Sequence, residues 1–452
     1  MEKPNSRLVE YYRQFFDNPL LRRVVKNSSY LFSATGITAA ISMVQSILVA
    51  RLLGVAGFGI LGAITMFTSV INKFASFRMS ELVIKYVGQF SEQGDHGRAA
   101  AVFKVAAMLE MLASFAAFGL AWLMAPLGAR YLTKDASLQG WFILYGLILV
   151  ANLIAESSTG LLQIFDRFRR MASINVAQSI LTLLIIVFVY VSHGGFLGIL
   201  IAYLVGKAVG ALALTSVAIY EANQRWGSRW WSTPLGILRP QARELTHFAV
   251  STNISASLSL INKDSELLWV SFFRNPLETG YYKLALALAN LVQLPISPLP
   301  QATYPELSRE VAREHWSNVR YILRQGTLLA GGYTVVASAG LLIFGRWGIR
   351  HLYTPEYLPA YPALLILLAG FLVANTFYWN RTALLAIGRP DFPMKVNLVL
   401  AVLKVLGIIL LVPTYGYLAN AALMAGSYIL GVSVSVIVFR LNLAKREKVV
   451  EE

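Results

Sequence analysis

The chain has 452 residues, 56% of them hydrophobic and only 14% charged, and because soluble domains carry about 25% charged residues, a water-soluble protein is excluded. It has no cysteine and 5 histidines without ligand spacing, so disulfides and cysteine nucleophiles are excluded and we expect no metal centre. The net charge is +16, yet the basic residues lie in short segments between apolar runs. That pattern is typical of membrane topology, and we expect no nucleic-acid partner.

The first 28 residues carry charges throughout and contain no uninterrupted apolar core, so they do not form a cleavable signal peptide. Leu8, Tyr12 and Phe16 can share one face of a helix, with charged residues on the other faces. We interpret residues 1–28 as an interfacial helix on the cytoplasmic surface of a membrane.

Twelve apolar segments follow, each near the length of about 20 residues that a helix needs to cross a bilayer. The shortest connections, at Gly194-Gly195 and Thr414-Tyr415, require helical hairpins. The sequence therefore predicts an all-α integral membrane protein with twelve transmembrane helices. The predicted spans are 29–50, 57–77, 101–125, 138–159, 171–192, 196–219, 247–273, 279–304, 322–345, 361–386, 393–412 and 416–439.

The distribution of Lys and Arg predicts the orientation of these spans. The termini, the even-numbered connections and the span ends beside them hold 27 of the 39 basic residues, whereas the odd-numbered connections hold 6. Cytoplasmic segments carry the excess of positive charge in membrane proteins. We therefore expect a multi-pass protein of the inner (plasma) membrane with both termini in the cytoplasm.

The second half of the chain repeats the first. A shift of 223 residues superposes three pairs of identical residues: Arg51 on Arg274, Gly57 on Gly280 and Asn152 on Asn375. Six spans per repeat is an even number, so both repeats have the same orientation in the membrane. We predict an N-lobe at 29–219, a cytoplasmic linker at 220–245 whose tryptophans suit the membrane interface, a C-lobe at 246–440 and a cytoplasmic tail at 441–452.

Ionisable side chains inside the spans are the main functional signal, because each costs at least ~2.5–3.5 kcal/mol near the bilayer centre. They must face a protein interior or a water-filled cavity. Six are basic and four are acidic, so the membrane interior is net cationic and suits an anionic ligand such as a phosphate. The set comprises Lys73, Lys207, Lys263, Lys283, Arg381 and Lys404, with Glu110, Glu156, Asp264 and Glu266.

Lys263 and Asp264 lie deepest and are the leading candidates for substrate binding. The alternative is a structural pair between Lys263 and Glu266, which are spaced i,i+3 on one helix face. Asp264, Glu266 and Glu156 are also the candidates to bind a coupling proton or sodium ion.

Lys73 and Lys207 lie well inside their spans and are further candidates for substrate binding. The alternative for both is an ion pair with Glu156 or Glu110 that locks helices together.

Lys283, Arg381 and Lys404 complete the substrate-binding candidates. Lys283 and Arg381 lie within about two turns of a span end, so the alternative is that they snorkel to the interface. Lys404 is central in its span, and its facing direction does not follow from the sequence. Arg51 and Arg274 lie at the outer ends of spans, where we expect them to anchor the topology or bind headgroups.

Prolines interrupt the cytoplasmic half of span eight at Pro295, Pro298, Pro300 and Pro305. Interrupted helices often mark a transporter's binding site, and such a break also offers a hinge for switching between two open states. The alternative is an ordinary proline kink.

Four short motifs resemble those of a known family: LVARLLGVAGFG from Leu48 to Gly59, Asp264-x-x-Leu-Leu-Trp, Glu278-Thr-Gly280-Tyr-Tyr and Pro305-Glu-Leu-Ser. Together with the number of spans and the two-lobe repeat, they resemble Wzx-type polysaccharide flippases. That family belongs to the MOP superfamily, which also holds the MATE exporters and the lipid II flippases. Two features depart from its pattern: Val55 follows Gly54 where many relatives have proline, and span one carries no charge.

The resemblance implies two six-helix lobes around a central cavity that opens alternately to each side. It implies transport of polyprenyl-diphosphate-linked oligosaccharides from the cytoplasmic to the outer leaflet. It also implies that spans one, two, seven and eight line the cavity. That lining favours Lys73, Lys263, Asp264 and Lys283 over Lys207, Arg381 and Lys404.

We therefore predict a flippase for lipid-linked oligosaccharides rather than an enzyme, without a cofactor apart from candidate proton or sodium coupling. Its expected partners are the bilayer, the lipid-linked glycan and a polysaccharide polymerase complex, and we expect a monomer. The alternative is a MATE-like exporter of cationic drugs, in which the acidic residues would line the cavity. Two further alternatives are a membrane glycosyltransferase and a non-transporting scaffold. The first would need acidic residues on large external loops, and the second would not need charges inside the membrane.

Overall fold

A computed structural model of the chain describes residues 19–75, 79–248, 265–389 and 391–451. These residues form helices joined by short turns, and no strand occurs among them. The α-helices are α1 (Pro19–Ala75), α2 (Met79–Leu82), α3 (Gly88–Glu92), α4 (His96–Gly128), α5 (Gln139–Ala151), α6 (Ala155–Ile164), α7 (Phe168–Val191), α8 (Gly195–Trp226), α9 (Glu266–Phe273), α10 (Pro276–Gln293), α11 (Leu299–Ala312), α12 (Trp316–Gly348), α13 (Ala360–Thr376), α14 (Asn380–Ala386) and α15 (Asp391–Glu451). Residues 242–248 are also helical.

Short π- and 3₁₀-helices extend or join several of these helices. The π-helices are Val83–Val87, Ala129–Thr133 and Ile349–Tyr353. The 3₁₀-helices are Ala136–Leu138, Trp230–Ser232, Leu235–Gln241 and Pro355–Tyr357. No other regular structure interrupts the described connections, so the described part of the chain is built from helices.

The two longest helices are each interrupted by one glycine. Gly54 in α1 has a φ of 65° and Gly416 in α15 has a φ of 67°. A residue without a Cβ adopts this left-handed region at little cost. Both glycines lie at predicted turns between spans, so α1 and α15 each contain two of the predicted spans.

Eight helical stretches in the described ranges are long and apolar enough to cross a membrane. Two of them, Ser33–Glu92 and Asp391–Arg446, have 60 and 56 residues, more than twice the length of about 20 that one crossing needs. Phe188, Val336 and Leu410 are 71%, 72% and 71% exposed, an arrangement that suits contact with lipid. The chain is therefore an all-α multi-pass membrane protein, and the count of twelve spans stays a prediction.

The predicted terminal segments continue the neighbouring helices where the structure describes them. Residues 19–28 belong to α1, and residues 1–18 of the predicted interfacial helix lie outside the described residues. The predicted tail 441–452 extends α15 as far as Glu451. The break between α10 and α11 spans residues 294–298, where prolines were predicted to interrupt span eight.

The chain folds into two compact units. The first contains the described residues of Met1–Ser46, Ile71–Met124 and Trp141–Ser257, and the second contains those of Ile47–Val70, Ala125–Gly140 and Leu258–Glu452. The predicted lobe boundaries stay a prediction. The boundaries of the two units differ from those of the predicted lobes. Residues 47–70 of α1 and residues 125–140, which include the α4–α5 connection, pack with the second half of the chain.

Aromatic packing in the first unit explains most of the tryptophans near residue 230. The rings of Trp226 and Trp230 lie 6.0 and 5.2 Å from the ring of Phe103, measured between centroids. These two rings are partly buried against the core of the first unit, whereas Trp231 is 62% exposed. The interfacial role of the three tryptophans stays a prediction.

Candidate functional site

A half-buried lysine, Lys283 on α10, lies inside predicted span eight. Asn275 caps this helix by accepting a hydrogen bond from the Glu278 N–H at 2.9 Å, with Pro276 in its first turn. The Lys283 ammonium donates to the Phe58 carbonyl at 3.0 Å and lies 3.8 Å from the centroid of the Phe58 ring. Within the described residues no carboxylate pairs with Lys283. Its charge is met by a carbonyl dipole and a ring face, which leaves it able to bind an anion.

Two glycines allow α10 to touch the part of α1 that presents Phe58. A Cβ added to Gly59 would lie 2.0 Å from the Pro276 carbonyl oxygen, and one added to Gly280 would lie 2.2 Å from the Val55 carbonyl oxygen. No side chain fits at either position, so the two backbones meet directly. Gly59 and Gly280 belong to two of the motifs that carry the family resemblance, and the structure brings those motifs together.

Two arginines at the predicted outer ends of spans contact other parts of the protein. The Arg51 guanidinium donates to the carbonyls of residues 351–353, at 2.7 Å for Leu352. Arg274 donates to Glu278 at 2.8 Å and to the Pro413 carbonyl at 2.7 Å. The expectation that these arginines anchor the topology or bind headgroups stays a prediction.

A buried polar cluster surrounds Glu266 at the start of α9. The Glu266 side chain is 1% exposed, and its Oε1 accepts from the Lys404 ammonium, which is 4% exposed. Its Oε2 accepts from the Tyr282 hydroxyl at 3.2 Å and from the Asn420 amide at 3.0 Å. These residues come from predicted spans seven, eight, eleven and twelve.

The partner that the structure shows for Glu266 is Lys404, which lies 138 residues away in the sequence. The alternative of a pair between Lys263 and Glu266 stays open. Lys263 and Asp264 themselves lie outside the described residues. Their role in substrate binding stays a prediction.

The remaining basic candidates occupy different surroundings. Lys73 is half-buried in the last turn of α1. Lys207 is exposed on α8, with its ammonium 6.0 Å from the centroid of the Tyr145 ring. Arg381 is exposed on α14. The first unit holds Lys73 and Lys207, and the second holds Lys283, Arg381 and Lys404.

Glu110 performs a structural task inside predicted span three. Its side chain is 7% exposed and accepts from the backbone N–H groups of Glu156 and Ser157, both at 2.8 Å. These N–H groups lie in the first turn of α6, where no helical partner exists for them. Glu110 therefore caps α6 from a neighbouring helix. The coupling role predicted for Glu156 stays a prediction.

Three uncharged residues of these clusters were missed by the sequence reasoning, which counted charges alone. Phe58 and Tyr282 were noted only as parts of motifs, and Asn420 was not singled out. A usable signal was present, because a buried tyrosine hydroxyl or asparagine amide inside an apolar span needs a hydrogen-bond partner.

Comparison with known proteins decides the family. Residues 24–311 match the family described as polysaccharide biosynthesis protein, and this match covers more than half of the chain. The chain belongs to that family. A curated relative, the inner membrane protein YghQ of Escherichia coli (strain K12), is 22% identical over 350 residues, which cover 77% of this chain and 98% of YghQ.

Solved structures share the fold of this family member. An inward-facing multidrug resistance MATE family transporter of the MOP superfamily has a TM-score of 0.71 at 15% identity, covering 91% of this chain and 96% of its own. The lipid II flippase MurJ in an inward closed conformation has a TM-score of 0.70 at 16% identity, covering 91% and 87%. A MOP superfamily transporter from Pyrococcus furiosus, whose binding pocket is described as having reverse polarity, has a TM-score of 0.65 at 14% identity, covering 94% and 96%. At these identities the structural likeness concerns the fold, which the chain shares with these transporters as the resemblance implied.

Proposed function

We propose that this chain is a flippase that moves a polyprenyl-diphosphate-linked oligosaccharide from the cytoplasmic to the outer leaflet of the inner membrane by alternating access. Membership of the polysaccharide biosynthesis protein family supports a saccharide cargo. The likeness to the lipid II flippase MurJ supports a fold suited to lipid-linked cargo. The name of YghQ supports the inner membrane as the location.

The contacts of Lys283 are the observation that carries this proposal. Among the described acidic residues of the spans, Glu266 faces Lys404, and Glu110 faces backbone N–H groups. Lys283 instead lacks a carboxylate partner in the described part of the chain. An ammonium in this state attracts the diphosphate of a lipid carrier. A cationic drug would meet repulsion there, which argues against the MATE-like alternative.

The other candidates enter the proposal with Lys283. Lys73, Lys263, Asp264, Lys207 and Arg381 are proposed as further contacts to the diphosphate or to the sugars, and Asp264 and Glu156 as sites of ion coupling.

Both termini are proposed to lie in the cytoplasm. Because the chain has no cysteine, Ser137→Cys and Ser232→Cys provide a matched pair for this topology. In intact cells a membrane-impermeant maleimide should label the first and not the second, and the reverse result would invert the topology.

Substitution of Lys283 tests the proposed cargo. Lys283→Ala removes a charge-assisted hydrogen bond of about 1.5–3 kcal/mol, which corresponds to roughly 10–100-fold in affinity. We expect cells that depend on this variant to show at least about tenfold less surface polysaccharide, and Lys283→Arg to retain export. Export is measured by quantifying surface glycan in cells with equal amounts of the protein in the membrane.

Lys395→Ala is the matched control, because Lys395 is exposed and pairs with Asp391 at 3.1 Å. It should export normally. Normal export by Lys283→Ala would remove the cargo assignment. Resistance to cationic drugs that depends on the protein, with surface glycan unchanged, would favour the exporter instead.

A further inference from the structure

The atoms around Glu266 form an oxygen-lined cluster that holds one cation. Both carboxylate oxygens are engaged, Oε1 by the Lys404 ammonium and Oε2 by Tyr282 and Asn420. The two charged side chains are 1% and 4% exposed. A buried carboxylate needs a cation together with further hydrogen bonds, because its removal from water is otherwise strongly unfavourable. In this cluster the cation is the ammonium of Lys404, a side chain of the protein itself.

One acceptor in this cluster is left over. The Oδ1 atom of Asn420 is buried and has no hydrogen-bond partner among the described residues. Its amide nitrogen lies 3.0 Å from the Glu266 carboxylate. The cluster therefore contains a carboxylate, a hydroxyl and an amide group, each on a buried side chain. Such oxygens are the ligands that hard metal cations bind.

We propose that Lys404 is the resident cation of a site that otherwise has the ligands for sodium. The ammonium takes the place of a metal ion beside Glu266, so the native protein does not bind sodium there. Lys404 is then a positioning residue for Glu266, and it leaves the set of substrate contacts. This inference rests on the proposed function only where it concerns the ion that is coupled to transport. The test measures the binding of sodium to the purified protein and does not require transport.

Thermal melting of the full-length purified protein tests this proposal. Melting temperatures are compared in NaCl and in choline chloride of equal ionic strength, from about 1 to 300 mM. The wild type should show the same difference between the two salts as Glu266→Gln/Lys404→Met, a variant that lacks both charges of the pair. Lys404→Ser should melt lower in choline and recover by at least about 3 °C in NaCl, because an ion that binds only the folded state raises its melting temperature. A purely structural ion pair would lose stability equally in both salts.

Two further variants complete the design. Glu266→Gln/Lys404→Met removes both charges, so any difference that it shows between the salts reports sodium bound elsewhere. If Lys404→Ser does not fold in either salt, Lys404→Gln, which supplies a carbonyl oxygen at a similar reach, is measured in the same way. A wild type that sodium stabilises more than it stabilises the double variant would overturn the proposal. So would a Lys404→Ser or Lys404→Gln variant that melts identically in both salts. The cargo assignment fails separately, on the export phenotype of Lys283→Ala.

Discussion

Glu110 shows how a charged residue inside a predicted span stabilises the fold at the scale of a single side chain. Its carboxylate accepts from two backbone N–H groups of α6. Glu110→Ala leaves two buried donors without acceptors, each costing about 1–3 kcal/mol. We expect a clear drop in melting temperature, with Glu110→Gln intermediate because it keeps one acceptor.

Thermal melting in detergent measures the Glu110 effect. Glu92→Gln is the control, because Glu92 is exposed at the end of α3, and exposed substitutions usually stay within about 0.5 kcal/mol. Equal melting of Glu110→Ala and Glu92→Gln would contradict the capping role.

Residue partners show the limit of inference from sequence. The charges inside the spans were found by hydropathy, which reports local composition. The partner of Glu266 was not found, because Lys404 lies 138 residues away and the i,i+3 rule reaches only within one helix. The contact between Lys283 and Phe58 was also not found, because it depends on how two helices cross.

At the scale of elements, the contact between α1 and α10 depends on the absence of side chains. A Cβ on Gly59 would overlap the Pro276 carbonyl at 2.0 Å. Gly59→Ala forces the helices apart, and overpacking of this kind destabilises by about 1–3 kcal/mol. We expect a lower melting temperature and reduced export, because Phe58 moves away from Lys283.

Gly332→Ala on α12 is the matched control for Gly59→Ala, since a Cβ there meets no atom within 4 Å. It should melt as the wild type does or slightly higher, because alanine favours a helix by up to about 1 kcal/mol. Similar melting of the two alanine variants would contradict the direct contact between the backbones.

Helices were the most predictable elements, and their crossings the least. The prolines near residue 298 predicted the break between α10 and α11, and Gly54 and Gly416 lie at predicted turns. These features depend on local backbone chemistry. The meeting of Gly59 with Gly280 depends on tertiary packing, so the sequence identified both motifs without indicating that they touch.

At the scale of the whole molecule, composition and the distribution of charge predicted a multi-pass membrane protein, and the family match extends that to polysaccharide biosynthesis. The division into units was not predictable, because residues 47–70 and 125–140 pack with the second half of the chain. A hydropathy profile contains no information on which helices pack together. The excess of positive charge in the spans was predictable, and it supports an anionic cargo.

Transport by the purified protein in lipid vesicles tests this account most directly. A polyprenyl-diphosphate-linked oligosaccharide is reconstituted with the protein, and a membrane-impermeant glycosidase reports how fast protected lipid reaches the outer leaflet. The wild type should expose the protected half rapidly, and Lys283→Ala should do so at least about tenfold more slowly. Protection that persists with the wild type, or equal rates for both proteins, would contradict the central claim.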